Sequence, residues 1–525
     1  MPTSVNFHPG EDRLSVGLLM RVCQQEVGVE IARAAREKIE QSRSYVDQIV
    51  ESNKVVYGIN TGFGPLCNTQ IAAGDTRKLQ DNILRSHSVG VGAPVPLDIV
   101  RLMLITKLQS LSQGYSGIST EVLERMIWHL TTGYLPYVPS QGSVGASGDL
   151  APLAHMFLPL IGLGKVWDGN NWVETEAIFQ KEGIKPIELG AKEGLALING
   201  TQFIASYAVL GLHRLHNLLE TADIIGAMSL EGVLGSASPF DPALHKLRAF
   251  QGSTHVAHRL KIMLQNSEMV ESHANCGRVQ DPYSFRCMPQ VHGASRNAWL
   301  HLKELTEIEI NSVTDNPVIF SAEKTISGGN FHGQLLAMPL DYATLAAAEI
   351  GSISDRRTYQ LLEGDVEGLP KLLMRNTGIN SGFMIPQYTS AALVSENKSL
   401  CFPASADSIP TSLGQEDHVS MGSISGRKLN TVLDNLENIL AVELVCAAQA
   451  FDYRKPMKSG VILDACHELV RQKVDHAEED RIFGDDIAVA REIVASGELV
   501  QLANEVALEN HIDIGGQLGD RFTLK

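Results

Sequence analysis

The stretch FIASYAVLGLHRLHNLLETADIIGAMSL, residues 203–230, decides the fold. Its apolar residues cover most of a helix's circumference, the mark of a helix buried on most sides, in a large core or between subunits. His213, Arg214, His216, Glu220 and Asp223 within it argue against a membrane span. Downstream, Leu429, Leu433, Leu436, Leu440 and Leu444 recur at helical spacing within Arg427–Ala450. Helices are also readable at Ala298–Ser312 and Asp341–Glu363. Upstream, Ile31, Ala35, Ile39, Val46, Ile49 and Val50 outline one face of an amphipathic helix. Short strands are expected around Lys165–Trp172 and Val318–Ser327, where Gly and Asn punctuate. The pattern predicts a mainly α fold, a long-helix bundle with a loop-rich N-terminal head. The head covers residues 1–199, and the bundle body with the C-terminal helices covers residues 200–525, as one unit. The boundary is a change of texture rather than a linker.

The chain has 525 residues, of which 44% are apolar and 20% charged. A chain of this size buries most of its unfolded surface without disulfide or metal staples, and whole-chain disorder is excluded. The net charge of −17 repels nucleic acid phosphates and anionic membrane surfaces, so neither is an expected partner. The seven cysteines are widely spaced and form no CxxC, as in a reduced, cytoplasmic protein. The first residues lack the basic and apolar regions of a signal peptide. The apolar run from Leu150 to Gly164 is too short and too proline-broken to span a bilayer.

Chemistry is concentrated in GSVGASGDLAPLAH, residues 142–155. In a tight turn, the Gly148 nitrogen can attack the Ala146 carbonyl carbon, because glycine lacks the Cβ that would hinder approach. Loss of that carbonyl oxygen as water closes a five-membered ring. Loss of the Ser147 hydroxyl as a second water leaves an exocyclic methylidene, an electrophile made from backbone alone. Gly142 and Gly145 permit the strained turn. Asp149 is expected to cap a helix from Leu150 through Ala154, whose positive end would face the loop. A plain glycine-rich turn before a helix accounts for the same segment. A phosphate loop does not, because neither GxGxxG nor GxxxxGK[ST] is present.

GSVGASGDLAPLAH resembles the signature of the aromatic amino acid ammonia-lyase family, whose members carry a methylidene-imidazolone made from Ala-Ser-Gly. The likeness extends through YGINTGFG (57–64), RSHSVGVG (85–92), EGLALINGTQ (193–202), VQDPYSFRC (279–287), GGNFHGQ (328–334), NSGFMIPQ (380–387) and GQEDHVSMG (414–422). These blocks stand in the family's order. Within the family the likeness is to its histidine-deaminating branch. The resemblance implies the helical fold of the ammonia-lyase and fumarase-like superfamily. It also implies a 4-methylidene-imidazol-5-one formed autocatalytically from Ala146, Ser147 and Gly148, with no external cofactor.

The implied reaction removes an α-amine and a β-proton from an amino acid, L-histidine giving trans-urocanate and ammonia. The electrophile addresses the poor leaving group. By resemblance Tyr57 is the base. A phenol titrates near ~10, so the site must favour the phenolate. Tyr283 is the other tyrosine, handling protons or holding the prosthetic group. Arg286 suits the substrate carboxylate, because a guanidinium fork binds it bidentately. Asn199 and Gln280 are neutral amides for that carboxylate and for the prosthetic-group carbonyl, and Phe331 presses on the group.

Glu416 discriminates among substrates. A carboxylate suits an imidazole N–H and is wrong beside a benzene ring. His87 supplies a second polar contact to the ring, and Met384 an apolar wall. Pro65, Cys67, Asn68, Phe285 and Cys287 depart from the commonest spelling of the histidine branch, without replacing any candidate catalytic group. Each candidate also has a plainer reading: a half-buried tyrosine, a surface salt bridge, a capping amide, core packing or an N-cap.

A tyrosine or phenylalanine lyase or an aminomutase on the same group is the alternative, which Glu416 opposes. A catalytically silent helical scaffold is opposed by the intact Ala146-Ser147-Gly148, Tyr57, Tyr283 and Arg286. No metal is expected, since His255 and His258 alone lack ligand spacing and read as a helical surface pair. The resemblance implies a homotetramer with active sites shared between subunits. The apolar helix at 203–230, with surplus surface to cover, points the same way.

Overall fold

The computed structural model describes residues 6–52, 55–62, 64, 71, 75–274 and 278–525. Its centre is the Gln202–Gly232 helix. Around it pack the helices Leu97–Leu111, Met288–Glu309, Gln334–Glu363 and Gly422–Asp452. The readable helices are therefore present, and those read from Ala298, Asp341 and Arg427 begin well before, at Met288, Gln334 and Gly422. Small residues set the crossings. A Cβ on Gly226 would lie 2.6 Å from Met288 Sδ, and one on Gly211 2.7 Å from Leu429 Cδ2. Glycine there lets two helices approach more closely than any larger residue permits.

Of the polar residues that argued against a membrane span, Arg214, Glu220 and Asp223 are spent on ion pairs between helices, and His216 faces the Phe522 carbonyl at 2.9 Å. Arg296 reaches Glu220 at 2.7 Å and Asp223 at 2.5 Å. Arg259 reaches the same two carboxylates at 2.6 and 2.9 Å. His292 joins Asp223 at 2.8 Å, and Arg357 pairs with Glu443, both fully buried, at 2.5 Å. The flanking arginines hold the Asp223 carboxyl well below the usual carboxylate range despite its burial. Arg214 reaches Asp434 and Glu437 on the Gly422–Asp452 helix.

Two expectations change. The Gln202–Gly232 helix is buried almost throughout by its own chain, so it offers no surplus apolar surface to a partner. Exposed apolar side chains lie instead on the Gln334–Glu363 helix, at Leu335, Met338, Tyr342 and Leu345. His255, read as a surface residue, is buried and stacks on Phe522 at 4.7 Å between ring centres. His258 points its Nε2 at the Asp513 carbonyl, 2.8 Å away.

The first 199 residues hold more helix than their glycine and proline content suggests. Leu97–Leu111 is buried from Ile99 to Leu111 apart from Arg101. A helix surrounded on all sides shows no one-sided period to read. One hydrophobic core runs from Phe7 to Phe522 across both halves of the chain. Lys165–Trp167 pairs antiparallel with Trp172–Glu174, and Val318–Ile319 with Thr325–Ile326, at the places expected for strands. Among the described residues no helix is long and apolar enough to cross a membrane.

Candidate active site

Ala146, Ser147 and Gly148 form the bend between the Pro139–Gln141 strand and the Leu150–Phe157 helix. Gly145, Ser147 and Gly148 have φ of +82°, +51° and +80°. For Ser147 the left-handed conformation costs on the order of 1 kcal/mol and must be imposed by its surroundings. The imposing contacts come from two sides. On one side, the Gly200 amide donates to the Ser147 carbonyl at 3.2 Å and the Asp149 amide to the Gly200 carbonyl at 2.8 Å. A Cβ on Gly148 would come within 2.1 Å of that Gly200 oxygen. On the other side, the Met421 amide donates to the Val144 carbonyl at 3.0 Å, and Ser423 Oγ to the Ser143 carbonyl at 2.7 Å.

Both clamping segments run directly into helices, Gln202–Gly232 and Gly422–Asp452, and the loop itself runs into Leu150–Phe157. Three helix N-termini therefore meet at Ser147, each equivalent to about half a positive charge. Asp149 does not cap the helix that follows it. Its buried carboxylate accepts from the Ile204 amide at 2.9 Å and from Ser143 Oγ at 3.0 Å, and so caps the Gln202–Gly232 helix instead. Burial pushes its carboxyl up to about 7, against these hydrogen bonds.

A cavity of about 510 Å3 opens over Ser147, and Tyr57, His87, Asn199, Ser412 and Glu416 help to line it. Glu416 Oε1 accepts from Ser147 Oγ at 3.2 Å. Its Oε2 accepts from Ser412 Oγ at 2.6 Å and Thr411 Oγ1 at 3.2 Å. One carboxylate oxygen is thus tied to its own loop, and the other faces Ser147. His87 Nδ1 lies 3.0 Å from Ser86 Oγ. Burial lowers its pKa, opposed by the Ile83 carbonyl and the Glu416 charge. The Tyr57 hydroxyl accepts from the Gly64 amide at 3.4 Å.

Asn199 sits on a buried charged floor. Its Nδ2 donates to the Asn316 carbonyl at 2.6 Å and approaches Asp315 Oδ1 at 3.4 Å. Asp315 is paired with Lys192 at 2.6 Å, both buried. Lys107, 1% exposed, donates to the Asn199 main-chain carbonyl. Burial pushes its ammonium down to about 7, opposed by the Asp315 and Asp149 charges.

The remaining candidates lie elsewhere on the chain. Gln280 and Arg286 line a separate cavity of about 820 Å3. Arg286 donates from Nε to the Asp281 carbonyl at 3.0 Å, and its guanidinium carbon lies 4.4 Å from the centre of the Tyr283 ring. Tyr283 is 70% exposed. Phe331 and Met384 are half-buried and line neither cavity. Pro65, Cys67 and Asn68 fall outside the described residues. Among the described residues no group of three or more His, Cys, Asp or Glu side chains is arranged to hold a metal ion.

Sequence reasoning passed over Gly200, Lys107, Thr411 and Ser412. Gly200 stands in a block noted for Asn199, and Thr411 and Ser412 stand just before the block noted for Glu416. Lys107 carries no local signal, being one of two cations, with Arg101, in a largely apolar helix.

The residues fit the prosthetic group that the family implies. A tight left-handed turn is held at Ser147, the glycine at 148 has no room for a side chain, and the Ser147 carbonyl already has a donor.

The description "Aromatic amino acid lyase" belongs to the family model that matches residues 14–472. Histidine ammonia-lyase of Myxococcus xanthus is 46% identical over 490 residues, covering 93% of this chain and 96% of that protein. The crystal structure of histidine ammonia-lyase from Trypanosoma cruzi superposes with a TM-score of 0.89 at 38% identity, covering 98% of this chain and 96% of that one. Tyrosine aminomutase from Streptomyces globisporus superposes with a TM-score of 0.90 at 34% identity, covering 96% and 99%. With the clamped Ala146-Ser147-Gly148 turn in a helical frame shared over nearly its whole length with these proteins, the chain belongs to the aromatic amino acid lyase family.

Proposed function

We propose that the chain deaminates L-histidine to trans-urocanate and ammonia, as the opening step of histidine breakdown. The observation that carries the substrate is Glu416, whose Oε1 stands 3.2 Å from Ser147 Oγ in the cavity that His87 also lines. A carboxylate there accepts the ring N–H of imidazole and is left unpaired by a phenyl ring. The names of the Myxococcus and Trypanosoma proteins support the same reading.

Ala146, Ser147 and Gly148 supply the 4-methylidene-imidazol-5-one, whose chemistry is that of an electrophile toward the substrate amine. Tyr57 takes the β-proton. Glu416 and His87 orient the ring. Asn199 lies beside the Ser147 carbonyl through Gly200. Arg286 binds the carboxylate with the Gln280 amide beside it, Tyr283 handles protons or holds the prosthetic group, Phe331 presses on that group and Met384 supplies an apolar wall. The separation of Gln280, Tyr283 and Arg286 from Ser147 within one chain supports a homotetramer in which neighbouring copies complete each site. The exposed row Leu335, Met338, Tyr342 and Leu345 supports it further. The unpaired thiols of Cys23, Cys287, Cys401, Cys446 and Cys466 suit the cytoplasm.

Two measurements test this. Incubation with L-histidine and with L-tyrosine, followed by the ultraviolet absorbance of the conjugated acid, should show product from histidine and little from tyrosine. Faster turnover of tyrosine would favour the alternative lyase or aminomutase. The intact mass of an active preparation should fall two waters below the encoded mass, and Ser147→Ala should lose the methylidene and nearly all activity. An encoded mass in a fully active preparation would remove the prosthetic-group reading.

A further inference from the structure

Lys107 is a cation in the middle of the Leu97–Leu111 helix, 1% exposed, and none of the roles given above uses it. Burying an ammonium is costly unless its hydrogen bonds are made. Its Nζ donates to the main-chain carbonyl of Asn199 rather than sitting in a close carboxylate pair, as neighbouring Lys192 does with Asp315. That carbonyl belongs to the Asn199–Gly200 peptide. The N–H of the same peptide donates to the Ser147 carbonyl at 3.2 Å, and the next carbonyl, on Gly200, accepts from Asp149 at 2.8 Å. A single peptide unit therefore links the buried cation on one side to the reactive turn on the other.

We propose that Lys107 is a positioning residue for ring closure: by holding the Asn199 carbonyl, it fixes the Asn199–Gly200 peptide so that its N–H stays on the Ser147 carbonyl while the turn cyclises. The proposal rests on the prosthetic-group reading above. In that closure the Gly148 nitrogen bonds to the Ala146 carbonyl carbon. The Ala146 oxygen leaves as water, with one proton from the Gly148 nitrogen and one from the Ser147 nitrogen. The Ser147 hydroxyl then leaves with the Cα proton as a second water. The Ser147 carbonyl oxygen stays on the ring throughout, so the donor that Lys107 steadies serves before, during and after the closure. Rotation of the 199–200 peptide would withdraw that donor and turn its carbonyl toward the loop. Asp315, paired with Lys192, and the Asn316 carbonyl hold the Asn199 side chain, which leaves the Asn199 main-chain carbonyl to Lys107.

The experiment compares wild type, Lys107→Met and Lys107→Arg by intact mass, and by kcat and KM for histidine. The Met variant keeps an unbranched side chain of similar bulk, one atom shorter, and loses the donor. It should keep native helical circular dichroism and carry a majority of chains at the encoded mass. In chains two waters lighter, kcat per cyclised site should fall about tenfold, as for loss of one charge-assisted hydrogen bond, with KM within about twofold. Lys107→Arg, which retains a donor, should restore most of the cyclised fraction. A Met variant as fully cyclised as wild type, with wild-type kcat, overturns the proposal. If the Met variant aggregates, Lys107→Gln, too short to span to the carbonyl, makes the same comparison with the same two outcomes. A wild-type chain that is active at its encoded mass would instead refute the prosthetic-group reading, independently of the lysine variants.

Discussion

At the scale of single residues the informative group is Glu416. Its two oxygens have separate partners, Ser147 on Oε1 and Ser412 with Thr411 on Oε2. Such a carboxylate presents one oxygen to the cavity in a set direction. Glu416→Gln keeps the size and one acceptor but removes the charge. A charge-assisted hydrogen bond is worth about 1.5–3 kcal/mol. Losing it in the transition state should lower kcat/KM for histidine by roughly ten- to a hundredfold, measured against tyrosine as a reference. Arg286→Lys should instead depress every amino acid substrate alike, since all share the carboxylate. A Glu416→Gln enzyme with wild-type kcat/KM for histidine would shift substrate choice onto His87 and Met384. Ser412→Ala releases the clamp without removing the carboxylate and acts on the substrate only through the orientation of Glu416, so its loss should be smaller, about threefold to tenfold in kcat/KM. A larger loss than that of Glu416→Gln would mean that Ser412 itself touches the substrate.

At the scale of elements, the Ser147 loop is built by three helices starting at one place. Asp149 shows how far the tertiary structure can redirect a local signal. An Asp before an apolar run is a sound N-cap signature, yet its carboxylate reaches across to Ile204. The Gly148–Gly200 contact leads to a prediction at this scale. Gly148→Ala adds a methyl that would lie 2.1 Å from the Gly200 oxygen, at a φ of +80°. The turn and the 199–200 segment must separate, so the variant should retain its helix content and remain at its encoded mass. A fully cyclised Gly148→Ala chain, read by intact mass, would mean that the pairing with Gly200 is dispensable.

At the scale of the whole molecule, a buried histidine bears on stability and an exposed apolar row on the proposed assembly. His129, 2% exposed, lies 2.7 Å through Nδ1 from the Tyr134 carbonyl. Burial pushes it down to about 4, with the Tyr134 carbonyl opposing and Arg125 adding. The unfolded imidazole titrates near ~6.5, so the unfolded chain binds the extra proton between that pH and about 4. The stabilisation from keeping His129 neutral is therefore complete above pH ~6.5. It is lost as pH falls through the window, to a total of about 3 kcal/mol. His129→Gln should flatten the dependence of the urea midpoint on pH between 4 and 6.5, while the carboxylates common to both proteins cancel. Equal slopes would assign the acid lability elsewhere. For assembly, Met338→Glu puts a charge in the exposed apolar row on the Gln334–Glu363 helix. Sedimentation should show smaller species and activity should fall with them. An intact, active tetramer would place the interface on another face.

By itself the sequence determined what is local or periodic. The helix at 427–450 was legible because its leucines repeat at helical spacing, and that at 203–230 because its apolar run is long and continuous; Ala146-Ser147-Gly148 was read through the resemblance of the blocks around it, since a plain glycine-rich turn accounts for the three residues alone. The strand pairs at 165–174 and 318–326 were legible from their turns. The tertiary structure decided what depends on contacts across long sequence distance. Leu97–Leu111 is buried all round and so shows no period, and Lys107 within it acts on a carbonyl ninety-two positions away. Glu416 stands 269 residues from Ser147 and meets it only because the Gly422–Asp452 helix begins beside the loop. Tyr57, His87, Asn199 and Glu416 share a cavity, while Gln280 and Arg286 line another. No spacing along the chain encodes that division, which follows from how the packed helices point their ends.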